Sequence, residues 1–72
     1  MRNKKINPKV VGWLDSKYNW HSESIQNPLY EVHEEGHHFK VMYYGVCEVY
    51  TSYSLHDAKE YILNKVTEYQ TS

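Results

Sequence analysis

The chain changes its polarity rhythm along its length. Tyr30-Glu31-Val32-His33 and Phe39-Lys40-Val41 alternate apolar and polar residues singly, as does Cys47-Glu48-Val49. From Leu55 the apolar positions recur every three or four residues instead, through Ala58, Ile62, Val66 and Tyr69. Single alternation places one class of side chain on each face of a strand, and the longer period marks an amphipathic helix. The pattern predicts strands over about Leu29–Glu34 and His37–Tyr43, a third strand beginning near Cys47, and a helix opening near Ser54.

Gly36 and Gly45 divide the three β-rich runs, and each can take the positive φ that tight turns require. A two-residue Glu35-Gly36 turn sets His33 opposite His38, Val32 opposite Phe39 and Glu31 opposite Lys40. Tyr30, Val32, Phe39 and Val41 then share one face. For the second connection, a loop of Tyr44, Gly45 and Val46 pairs Tyr43 with Cys47, Val41 with Val49 and Phe39 with Thr51. A shorter loop puts Glu48 beneath Val41, which buries an unpaired charge, so the longer one is preferred. Ser54 is placed to cap the helix, and Asp57 complements the positive end of its dipole.

Upstream, Asn7-Pro8 is a helix-start signal, and Val10, Leu14 and Tyr18 fall on one helical face with Trp13 beside them. This predicts a short N-terminal helix, weakened by Gly12. Residues 19–28 are polar, end in Asn27-Pro28 and read as a loop; residues 1–6 read as disordered. The expected fold is α+β in a single domain spanning residues 1–72 with its core in 29–69. It has a short N-terminal helix, a three-stranded antiparallel meander, and a C-terminal helix packed on one sheet face.

Size and composition sharpen this. A chain of 72 residues has a modest core, too small for eight tyrosines together with Trp13, Trp20 and Phe39, so some rings must be exposed. Exposed aromatics favour interfaces. The net charge is −1, but Arg2, Lys4, Lys5 and Lys9 hold four of the eight cations, leaving four against nine acids in the rest of the chain. A basic arm on an acidic body can touch phosphate or an acidic partner. Cys47 is the one cysteine and is expected to face the core as an inert thiol. That usage, with no membrane-length apolar run and no signal peptide, predicts a cytoplasmic protein.

Candidate chemistry is sparse. Ser54, His56 and Asp57 lie at a helix start, where residues one and two apart diverge, and Ser54 is better used as a cap. There is no glycine-rich phosphate loop and no carboxylate pair in an apolar cleft. No enzyme activity and no cofactor are expected. His33 facing His38 makes a weak metal candidate, although the spacing matches no dedicated motif. Three antiparallel strands backed by one helix are similar in outline to integrase-type domains that lay a sheet into the major groove. The outward positions, however, hold one lysine, two glutamates and no arginine.

The strongest feature is that outward face: Met42, Tyr44 and Tyr50, rimmed by Glu31, Lys40, Glu48 and the histidines. An aromatic centre inside a charged rim is common at protein-binding surfaces. Two plainer readings compete, that the N-terminal helix covers the patch, or that the tyrosines are simply good strand formers. The expected function is non-catalytic binding to another protein through Lys40, Met42, Tyr44, Glu48, Tyr50 and His38. Size, acidic body and Asn/Lys/Tyr richness associate such chains with accessory or inhibitor proteins of phages and mobile elements, anti-CRISPR proteins among them. The alternative is a nucleic-acid-binding accessory domain using Arg2, Lys4, Lys5, Lys9 and the sheet tyrosines. Homodimerisation is a further option, and no membrane partner is expected.

Overall fold

The computed structural model describes residues 9–71. Five strands precede one helix: β1 Lys9–Leu14, β2 Trp20–His21, β3 Tyr30–Glu35, β4 His38–Tyr43, β5 Cys47–Ser52 and α1 Leu55–Thr71. The strands form one antiparallel sheet in the order β2-β1-β3-β4-β5. α1 lies on one face, against β3, β4 and β5. The class is α+β, with a larger sheet than the three-strand meander.

β1 replaces the expected N-terminal helix, and β2 lies within residues 19–28, expected as a loop. Asn7-Pro8 lies outside the described residues, as do residues 1–6. From Lys9 the chain is β1, paired with β3 and, at its end, with β2. Val10, Val11 and Trp13 are strand formers, and a glycine is poor inside a helix. Pairing also satisfies the backbone of β3 that a three-stranded meander leaves bare. Leu14 is buried, whereas Tyr18 reaches the core from the β1–β2 turn. In that turn the Asp15 carboxylate accepts the amides of Lys17 and Asn19, both at 2.9 Å. Tyr18 adopts a φ of 69°, a left-handed conformation that this turn imposes on it.

Gly12 has a steric role. The Trp20 ring, from the loop-side strand β2, lies directly against it: a Cβ on Gly12 would stand 2.0 Å from Trp20 Cζ2. The Lys59 ammonium of α1 sits 4.7 Å from the centroid of the same ring. β1 also bulges between Val10 and Gly12, and Val11 packs half-buried against the core.

The first hairpin turns at Gly36 and His37, so Glu35 faces His38, His33 faces Lys40 and Val32 faces Val41. The expected register was displaced by two residues. Because side chains alternate with period two, that displacement leaves every residue on its expected face. Gly36 has a φ of 64° and stands first in the loop, the arrangement of a type II′ turn.

The second hairpin begins as expected, with Tyr43 opposite Cys47. Tyr44 and Gly45 take φ values of 55° and 75°, as a type I′ turn requires, and Val46 N–H donates to Tyr43 O at 3.1 Å. A bulge at Val49 then changes the pairing to Val41 with Tyr50, Lys40 with Thr51 and Phe39 with Ser52. One extra residue reverses the faces of all later positions in the strand. Tyr50 therefore turns toward α1 and stacks on Tyr61, with centroids 4.5 Å apart and planes 7° from parallel. Ser52, expected outward, is buried; its hydroxyl donates to the Asp57 carboxylate and accepts the Ser54 amide, each at 3.2 Å. Cys47, expected in the core, is exposed.

The helix obeys the pattern. Ser54 Oγ accepts the Asp57 amide at 3.1 Å, capping the first turn. Ala58, Ile62 and Val66 are buried with Leu14, Tyr30, Val32 and Val41. Each fully buried aliphatic side chain contributes about 1.5–3 kcal/mol. The Tyr30 and Tyr69 hydroxyls are 2.6 Å apart, and burial, then that hydrogen bond, pushes the Tyr30 phenol far above its ordinary pKa.

Candidate functional site

Among the described residues no element lies over the other sheet face. The pairing builds it row by row. One row runs His21, Trp13, Glu31, Met42, Glu48 across all five strands. The next runs Val10, His33, Lys40, Thr51. Beyond them His38 stands opposite Glu35, and its ring packs on Tyr53 with centroids 4.8 Å apart. Trp13 and Met42 thus flank Glu31, an apolar centre of two side chains around one carboxylate.

The polar side chains of this face contact one another. His33 Nε2 lies 2.7 Å from Glu31 Oε1, with 19% of each side chain exposed. Lys40 Nζ lies 2.7 Å from Glu35 Oε1 and 3.9 Å from Glu48 Oε1. The hydrogen bond from Lys40 holds the Glu35 carboxyl below its ordinary pKa, and the same contact raises that of Lys40. The Thr51 hydroxyl donates to the Glu48 carboxylate. At the β1–β2 end, His21 Nε2 stands 2.8 Å from Asp15 Oδ2. The Asp15 carboxyl is held below its ordinary pKa, first by the Asn19 amide and then by His21.

Of the expected partner-binding residues, Lys40, Met42, Glu48 and His38 do share this face. Tyr44 sits in the turn at the end of the sheet, 58% exposed and edge-on to Tyr43 at 4.6 Å. Tyr50 does not belong to the face, because the Val49 bulge turns it toward α1. His33 and His38 are not opposed; they face Lys40 and Glu35. Among the described residues no group of three or more His, Cys, Asp or Glu stands ready to hold a metal. Arg2, Lys4 and Lys5 lie outside the described residues, while Lys9 is exposed opposite Glu34. Ser54 and Asp57 are engaged in the helix cap, and His56 is exposed.

Trp13, His21 and Val10 are the face's unexpected members. The signal for them, Val10-Val11 and then Trp13 and the aromatic Trp20, was masked by the competing helical spacing of Val10, Leu14 and Tyr18. Elsewhere, a cleft of about 240 Å³ opens between α1 and the sheet, lined by Tyr30, Tyr43, Val49, Tyr61, Lys65 and Tyr69. No helix among the described residues is long and apolar enough to cross a membrane. The chain matches no family model, no curated protein and no solved structure.

Proposed function

We propose that the protein is a non-catalytic binding module that docks another protein on the sheet face opposite α1, through Trp13, Met42, Lys40, Glu48 and His38. The observation that carries this reading is the composition of that face: Trp13 and Met42 flanking Glu31, within a rim where Lys40 lies between Glu35 and Glu48. A polar rim around an aromatic and thioether centre is usual at protein-binding surfaces, where Trp and Met supply contact area. In its most concrete form the protein is a cytoplasmic accessory or inhibitor protein of a phage or mobile element, acting on a host or defence protein in the manner of an anti-CRISPR protein.

A nucleic-acid reading keeps the basic run Arg2, Lys4, Lys5 and Lys9 as its support. Against it, Lys40 is the one cation among the described residues of the two outer rows, and two carboxylates engage it. A groove reader needs cations available for phosphate. The test is capture from lysate of the source cells, with wild type, a Trp13→Ser/Met42→Ser variant, and a variant with Arg2, Lys4 and Lys5 changed to alanine. Loss of a specific protein in the first variant and its retention in the second is expected. An interface anchor of about 2 kcal/mol corresponds to roughly thirtyfold in affinity. The reverse pattern, with steeply salt-dependent binding to short DNA or RNA, refutes the protein-binding reading.

A further inference from the structure

We infer that the outer edge of β5 takes up one extended, basic strand of a protein partner, adding to the sheet by main-chain pairing; this rests on the protein-binding reading above. The two edges of the sheet are unlike. β2, at one edge, has two residues, whereas β5, at the other, has six. An antiparallel edge strand turns the amide and carbonyl of every second residue away from its neighbour, and these groups template a further strand. Residues Cys47 to Thr51 are all exposed, so α1 leaves this edge accessible. Of the devices that blunt edges, β5 lacks lysine and proline and carries one charge, Glu48, and the bulge at Val49.

Exposed apolar area gathers along the same edge. Val46 and Tyr53 are each 76% exposed, with Val49 at 40% and Tyr50 at 36% between them. Val49 and Tyr50 face the α1 side, where Val49 lines the tyrosine cleft and Tyr50 stacks on Tyr61. Glu48 and Thr51 face the outer side, in the rows of Met42 and Lys40. An incoming strand with apolar residues on one face and basic or hydroxyl residues on the other matches both sides.

Charge identifies the occupant. Glu48 is the one charged residue of β5. Its cation, Lys40, stands 3.9 Å away and is held at 2.7 Å by Glu35. A lysine or arginine opposite Glu48 on the added strand supplies the missing charge. A second copy of this chain does not, since its own β5 carries no cation. The bulge also opposes self-pairing. A two-fold axis at Val49 sets outward Glu48 against α1-side Tyr50; at Tyr50 it sets α1-side Val49 against outward Thr51; at Glu48 it opposes like charges.

The test uses the full chain, isotopically labelled, and a capped octapeptide alternating valine with lysine or threonine. Expected are amide shifts concentrated on Cys47–Ser52, slowed exchange there, at least tenfold weaker binding when the peptide is N-methylated along one edge, and weaker binding when glutamate replaces its lysines. Val49→Lys should weaken binding while the circular dichroism spectrum stays native. Binding that is indifferent to N-methylation, or that perturbs Trp13 and Met42 instead, overturns strand addition and leaves the outer-face reading standing. Absence of binding at millimolar peptide overturns it too. A dimeric mass with β5 amides already protected puts a second copy on the edge and overturns the assignment to a partner. Single-stranded DNA titrated in parallel separates failure of the protein-binding reading itself: steep salt dependence there sinks that reading whatever the peptide does.

Discussion

Replacing Gly12 by alanine isolates one contact that organises the β1 side of the fold. Gly12 pairs with Val32 in the sheet and is buried against the Trp20 ring. An added Cβ would lie 2.0 Å and 2.2 Å from Trp20 Cζ2 and Cη2, where carbon atoms rest at about 3.5–4.0 Å. The ring must therefore move by well over an ångström, which also draws it from the Lys59 ammonium. Overpacking costs about 1–3 kcal/mol, and the lost cation–π contact about 0.5–1 kcal/mol. Alanine returns about 0.5–1 kcal/mol through a less flexible unfolded chain. The net is a destabilisation of about 1–3 kcal/mol, and a domain of this size shifts its Tm by about 4–8 °C per kcal/mol. Thermal and urea unfolding, monitored by circular dichroism, measure it. On a Trp20→Leu background the obstruction is gone, so Gly12→Ala should be neutral or mildly stabilising there. The cycle then gives a coupling of about 1–3 kcal/mol, above the noise of additive sites. Equal effects on both backgrounds, or a Gly12→Ala protein as stable as wild type, would refute the steric argument.

Other contacts carry their own expected outcomes. Ile62→Ala should cost about 2–4 kcal/mol, because a fully buried mid-helix side chain leaves a cavity, and an unchanged melting temperature would remove α1's stripe from the core. Tyr50→Ser should destabilise by about 0.5–1.5 kcal/mol or more through loss of its stack on Tyr61; native stability in the variant would place Tyr50 on a solvated face after all. The acid limb of stability should depend on Asp15. Its folded pKa is depressed, so the unfolded chain binds the proton more tightly. The stabilisation is complete above the ordinary carboxylate pKa of about 4 and is lost as pH falls through the lower folded value. Asp15→Asn should flatten that limb, and superimposable acid profiles would count against the turn's role.

Much of this protein was legible locally. Gly36 and Gly45 mark turns because their positive φ is a property of the residue itself. Ser54 caps and Ala58, Ile62 and Val66 pack because spacing within one helix needs no other element. His38, Lys40 and Met42 share a face because alternation survives a two-residue error in register. The remainder was decided between elements. Val10, Leu14 and Tyr18 fit a helix as well as a strand by spacing, and pairing with β3 together with the Trp20 ring seated on Gly12 selects the strand. Tyr50 looks like a surface residue until the single extra residue at Val49 reverses the faces beyond it, since a period of two turns one insertion into a change of side. Trp13 joins the candidate site, and Tyr50 leaves it, for the same reason: which face a strand residue occupies is set by its neighbours across the sheet, and those neighbours lie far along the chain.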